Sequence, residues 1–225
     1  PIYNLEPGSK ELTALNYYTN EEITIPLDPT QTPGENAQRY FAKYNKQKRT
    51  FEALTELIQE TADDIQYLES ISNALDIALN EADLAQIKEE LMQSGYIRRK
   101  HTKKKVKLTS KPMHYISSDG YDMYVGKNNL QNEELTFSFA NGNDWWFHAK
   151  GAPGSHVIVK SGGDELPDCT FEEAGRLAAY YSKNRGADKV EIDYIQKKHV
   201  KKPNGAKPGF VVYYTNYSLV IDSDI

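Results

Sequence analysis

The chain has 225 residues, a net charge of −5, 39% hydrophobic content and a single cysteine, enough for one large or two modest domains with an ordinary core. No apolar run approaches the roughly 18 residues of a membrane span, and no charged-then-apolar leader opens the chain, so a soluble, cytosolic protein is expected. Cys169 alone excludes an internal disulfide and a cysteine-rich zinc site.

The opening Pro1-Ile-Tyr-Asn-Leu-Glu-Pro-Gly8 reads like the interior of a longer protein. Thr13 to Leu27, rich in Thr, Tyr and Ile and broken at Thr19-Asn20-Glu21, reads as two short strands in a hairpin, stopped by Pro26, Pro29 and Pro33. From Glu35 to about Asn80 there is neither Gly nor Pro. One apolar track runs Tyr44, Phe51, Ile58, Ile65, Ser72, Leu79 and a second Gln47, Leu54, Thr61, Leu68, Leu75, Ala82, the seven-residue period of a long helix packing along a seam. Such an arm cannot bury its stripe alone. A partner helix upstream of Pro1 is therefore expected, and without it self-association through Phe51, Ile58, Ile65, Leu68 and Leu75. Asp83 is placed to cap a shorter helix, Leu84 to Ser94, with Gly95 at its end.

Residues 1–95 carry 7 basic and 17 acidic side chains, net −10, and residues 96–225 carry 20 and 15, net +5. Arg98 to Lys111 alone holds eight Lys and Arg and no acid, so one end is suited to a polyanion. The expected organisation is a hairpin tip and coiled-coil region over 1–97, a basic linker over 98–112, and a compact mixed α+β domain over 113–225. In that domain Asp119-Gly120 marks a hairpin within Met113 to Gly126, and Asn128 or Asn129 caps a short helix through Phe137. Trp145 to Lys150 and His156 to Lys160 are strands about a Gly151-Ala-Pro-Gly154 turn. Thr170 to Glu173 has the form of a capping box for a helix to about Asn184. Lys189 to Ile195, Phe210 to Tyr214 and Ser218 to Ile221 supply further strands.

Gly120 to Asn128 superficially has the look of a phosphate loop, but five residues separate the glycines and no Ser or Thr follows Lys127. Ser155 and His156, with Asp144 and His148 near, suggest a hydrolase site, yet neighbours on a strand point to opposite faces. His114, His148, His156 and His199 have no recognised metal-ligand spacing, so no metal, no cofactor and no catalysis are expected. Nucleic-acid binding has better support, since cations neutralise phosphates and aromatic faces stack on unpaired bases. Lys197, Lys198, His199, Lys201 and Lys202 fall within six positions, although a lysine run is equally often a solvated edge. Alternation puts Trp145, Phe147 and Ala149 on one face and Trp146, His148 and Lys150 on the other. One tryptophan then packs in the core, and Trp146 is the candidate for stacking on a base.

Gly126-Lys-Asn-Asn-Leu-Gln-Asn132, Asp144-Trp-Trp-Phe-His-Ala-Lys150, Pro153-Gly-Ser-His-Val-Ile158, Val200-Lys-Lys-Pro203 and Lys207-Pro-Gly209 together resemble the RNA-binding (NFACT-R) domain of the NFACT family. Ile25-Pro-Leu-Asp28, Glu35-Asn-Ala-Gln38 and Tyr40-Phe-Ala-Lys-Tyr-Asn45 are similar to the coiled-coil middle region of its bacterial, fibronectin-binding-like members. The resemblance implies ribosome-associated quality control: binding to obstructed large ribosomal subunits, recruitment of tRNA, and support of untemplated C-terminal alanine tailing. It places the arm at the stalk base and the NFACT-R module against RNA, and makes Lys127, Asn128, Asn129, His148, Lys150, Ser155 and His156 the RNA-facing set. A protein-interaction module with no direct RNA recognition is the alternative.

Overall fold

The computed structural model describes residues 5, 6, 8–98 and 110–222. Most of the basic stretch expected as a linker, residues 99–109, lies outside them. The chain divides into two compact units, Pro1–Ala62 and Asp63–Ile225.

In the first unit β1 (Glu11–Asn16) pairs antiparallel with β2 (Glu21–Pro26). The reversal uses Asn20 at φ 56°, a left-handed conformation that Asn tolerates better than most residues, and it leaves Tyr17 and Tyr18 87% and 99% exposed. Pro33, expected to end the hairpin region, instead opens the 45-residue helix α1 (Pro33–Ile77). Proline suits a first helical position because it lacks only a donor that would be orphaned there anyway. Thr32 and Glu35 cap the start reciprocally: the Thr32 amide donates to Glu35 Oε2 (2.7 Å) and the Glu35 amide to Thr32 Oγ1 (3.2 Å). The buried Asn36 accepts from the Asp28 amide (2.8 Å) and donates to the Asp28 carbonyl (3.0 Å), fixing the link between hairpin and helix.

The second unit holds the C-terminal part of α1, α2 (Glu81–Gln93) and a six-stranded antiparallel sheet. Asn80, not Asp83, caps α2, its side chain accepting from the Asp83 amide. That register moves Asp83 inside the first turn, where its side chain is buried. The strands are β3 (Met113–Ile116), β4 (Asp122–Val125), β5 (Trp145–Ala149), β6 (Val157–Val159), β7 (Val190–Gln196) and β8 (Tyr217–Ile221), in spatial order β3-β4-β6-β5-β7-β8. Alternation along β5 and β6 sends Phe147, Val157 and Val159 into one core beneath α4 (Asp168–Tyr180), and Trp146 and Ile158 into another with Leu135, Ile195 and Val200.

Two expectations in this unit are corrected. Helix α4 begins before Thr170, with Pro167 at its cap position and no side-chain cap bond. Thr170 and Glu173 do not form a box. Thr170 donates to Asp119 Oδ2 (2.8 Å) and Glu173 accepts from the Ser118 amide (2.9 Å), so both tie the β3–β4 turn to the helix. Phe210 to Tyr214 is not a strand; Val212 alone forms an isolated bridge with Lys201. The short helix α3 (Asn129–Glu134) does follow Asn128 as cap and continues as a π turn, Leu135–Phe139.

Candidate nucleic-acid interface

The Lys127-Asn128-Asn129 motif lies between α2 and α3 and is buried throughout. Lys127 Nζ donates to Asp83 Oδ1, which also accepts from Ser110. Burial pushes the Asp83 carboxyl up, but hydrogen bonds from Lys127, Ser110 and the Leu79 amide outweigh it and hold the group below the usual range. Asn128 Oδ1 accepts from the Gln131 amide (3.0 Å) and its Nδ2 donates to Gln86 (2.8 Å). Asn129 donates to Ser70 (2.8 Å) and Glu90 (2.9 Å). The polar hydrogen-bonding groups of this motif are thus committed to joining elements. Gly126 is required here, since a Cβ would come within 2.2 Å of Asn132 Oδ1.

Trp146 has no exposed surface, which corrects its role as a stacking platform: it is the core member of the pair, while Trp145 is half-buried edge-on against Phe171 (4.9 Å). Around Trp146 gather His148, nearly parallel at 5.6 Å, His156 at 5.1 Å and Tyr213 at 5.0 Å. His148 and His156 meet edge-on at 5.4 Å. Burial pushes the His148 imidazole down to about 4, against opposing contributions from the Gly154 backbone and Asp193. Burial, and then the neighbouring His148, hold His156 well below its ordinary value. Both rings are therefore neutral at physiological pH. His156 Nδ1 lies 2.8 Å from Thr136 Oγ1 and 3.2 Å from the Asn132 carbonyl oxygen. Tyr213 donates to Asp193 (2.8 Å), which sits across from His148 in the β5–β7 register. Beside this cluster opens a cavity of about 200 Å³, lined by His148, His156, Asn129, Asn132, Phe210 and Tyr213 among others. Ser155 is buried, its Oγ without a hydrogen-bond partner among the described residues, and it does not share a proton with His156.

The lysines form the outer part. Lys197 to His199 make a short 3-10 turn after β7, fixed by bonds from the Lys197 amide to the Asp144 carbonyl (2.8 Å) and the Lys198 amide to the Gly142 carbonyl (3.0 Å). Lys198, His199 and Lys201 are exposed, with no ion pair among the described residues. Lys197 lies over the Phe137 ring at 6.0 Å, Lys202 pairs with Glu133 at 2.7 Å, and Lys150 pairs with Glu191. The structure therefore separates the twelve candidates. Lys127, Asn128, Asn129, Trp146, Ser155 and His156 are interior, His148 stands at a cavity wall, and Lys150, Lys197, Lys198, Lys201 and Lys202 reach the surface. Lys207, which the sequence marks only as part of the Lys207-Pro-Gly209 motif, has partners that sequence reasoning did not foresee. It is held by Asp64 and stacks over Tyr67 at 4.4 Å and Tyr96 at 5.1 Å, partners too distant in the chain for a local motif to name.

The family described as NFACT N-terminal and middle domains matches residues 1–110, and the NFACT protein RNA binding domain matches residues 111–214. The chain is 47% identical over 210 residues to the Rqc2 homolog RqcH of Streptococcus pneumoniae (strain D39), covering 93% of this chain and 38% of that protein. It is 41% identical over 230 residues to the Rqc2 homolog RqcH of Bacillus subtilis (strain 168), covering 99% of this chain and 40% of that one. It thus spans about two fifths of the length of these relatives. A solved structure of the C-terminal part of the fibronectin/fibrinogen-binding protein of Streptococcus suis superposes with a TM-score of 0.78 at 44% identity, covering 86% of this chain and 77% of that one. With a likeness of that extent and both family regions in sequence order, the chain belongs to the NFACT family and carries its RNA-binding domain.

Proposed function

We propose that this chain is the RNA-contacting and ribosome-docking part of a cytoplasmic ribosome-associated quality control factor, one that engages tRNA and the large ribosomal subunit and supports C-terminal alanine tailing without catalysing a reaction itself. The observation that carries the reading is the edge at Lys197 to Lys202, where Lys198, His199 and Lys201 stand exposed with no carboxylate partner among the described residues. The Lys198 and Lys201 ammonium groups, without an ion pair among the described residues of a chain of net charge −5, are available to phosphates, and each phosphate neutralised releases a counterion.

The test is tRNA binding by the whole chain over a salt series, beside a variant with Lys197, Lys198, Lys201 and Lys202 changed to Glu. Three to four phosphate contacts should weaken binding by roughly 20- to 150-fold between 50 and 200 mM salt, and the variant should lose both the affinity and most of the slope. Absence of binding at low salt would refute the reading. It would favour docking on protein, for which the exposed Tyr17 and Tyr18 at the hairpin tip are the specific observation.

The apolar row on α1 is part of the same reading. Phe51 is 71% exposed and Ile58 68% exposed, with Ile65, Leu68 and Leu75 also open. A stripe of this kind associates with another helix, so the chain is expected to self-associate in sedimentation as its concentration rises, and Phe51→Asp with Ile58→Asp to abolish it. A single monomeric species at every concentration would contradict the proposal.

A further inference from the structure

The cavity beside Trp146 has a chemistry that the exposed lysines do not share. Among the described residues no Lys, Arg, Asp or Glu side chain lines it, and its two histidines are held neutral by burial. A neutral imidazole offers one donor and one acceptor, with nothing to neutralise a phosphate. At about 200 Å³ the space falls below the roughly 300–1,000 Å³ of drug-sized sites and suits one ring-sized group. Phe210 and Tyr213 supply aromatic surface to its lining. The Gln66 carboxamide also lines it and has no hydrogen-bond partner among the described residues, so it is free to pair with a polar edge.

We propose that this cavity takes a single unpaired nucleobase from a bound RNA while the neighbouring lysines hold its phosphates; the inference rests on the RNA-binding reading above. The two features are joined covalently and by pairing. The Lys201 amide donates to the Val212 carbonyl (2.9 Å) and the Val212 amide to the Lys201 carbonyl (2.8 Å), while Val211 and Tyr213, on either side of Val212, line the cavity. Phosphate contacts at Lys201 and its neighbours position the strand, and the neutral pocket beside them reads a base. A base-paired residue cannot enter, because its polar edge and one face are occupied in the duplex.

Two measurements on the full chain test this. In the first, adenosine and cytidine are titrated while the imidazole C–H resonances of His148 and His156 are followed by NMR. In the second, a single-stranded octaribonucleotide and a duplex of the same length are compared by anisotropy on the wild type, on Val211→Phe, which fills the cavity, and on Gln66→Leu, which alters an exposed side chain without burdening the core. Nucleosides should shift both imidazoles, and each variant should weaken the single strand, Val211→Phe by about tenfold, with the duplex unchanged. Unshifted imidazoles, or single-strand binding indifferent to both variants, overturn the pocket even if salt-sensitive tRNA binding persists. Imidazole shifts with no RNA binding at any salt would uphold the pocket as a nucleoside site and sink the RNA reading instead.

Discussion

Asp83→Ala should destabilise the fold by about 3–5 kcal/mol, seen as a lower urea midpoint at unchanged m. Asp83 and Lys127 are both buried and paired at 2.5 Å. Removing the carboxylate leaves an ammonium inside the protein with no counter-charge, and strands the Leu79 amide (2.9 Å) and the Ser110 hydroxyl that Asp83 also accepts. The cost comes mainly from the orphaned cation rather than from the attraction lost. Asp83→Leu combined with Lys127→Met, which deletes both charges and keeps apolar volume, should therefore recover most of the loss. A single substitution costing under about 1 kcal/mol, or a double substitution as costly as the single one, would show that the pair is not what holds α2 to the Lys127 motif. The same geometry bears on experiment: cutting the chain at residue 96 removes Asp83 from Lys127 and Glu90 from Asn129, so binding belongs on the whole chain.

The elements with a strong local signal were readable in advance. The heptad period marked α1, alternation assigned the two faces of β5, and Asp119-Gly120 marked the β3–β4 turn, where Gly120 sits at φ 86°. Caps were misread where two acceptors compete within one turn. Asn80 and Asp83 are both good caps, and the choice was settled by Lys127, 44 residues away, which takes Asp83 for itself. Thr170 and Glu173 were drawn off in the same way by the β3–β4 turn. Meanwhile the true box at Thr32 and Glu35 was passed over, because Pro33 between them was read as a stop rather than as a first helical residue. The candidate site divided along a similar line. A motif shows which residues are constrained, but Lys127 and Asn129 are constrained by α1 and α2 partners that no motif names, whereas Lys198 and Lys201 are surface groups without an ion pair among the described residues. The cavity itself was illegible, since His148, Phe210 and Gln66 converge only through the fold.

Acidification between pH 6.5 and 4.5 should weaken the protein before the carboxylates lowered in the fold lose their contributions. His148 titrates near 4 in the folded protein against 6.5 for the free side chain, and His156 is lowered in the same direction. In this window the unfolded chain binds protons that the folded one refuses, so stability is complete above about 6.5 and declines as the pH falls. At 1.36 kcal/mol per unit, His148 alone accounts for about 2–3 kcal/mol over these two units, less whatever its partial exposure at the cavity wall returns. Asp193, across the sheet, favours the charged ring and reduces the effect. Glu90 opposes it: burial raises its carboxyl, so its contribution to stability grows as the pH falls. The lowered acids Asp28, Glu35, Asp64 and Asp83 lose their contributions only below their free values of 3.8 to 4.5, outside the window. Urea midpoints measured every half unit should thus fall from pH 6.5 to 4.5 in the wild type and fall less steeply in His148→Asn, which fills much of the same volume without a proton to gain and leaves only the His156 contribution. A variant that keeps the full slope would move the titration to another group. A wild type with level stability across the window would mean that the ring is not neutral in the folded protein, and the uncharged character of the cavity would fall with it.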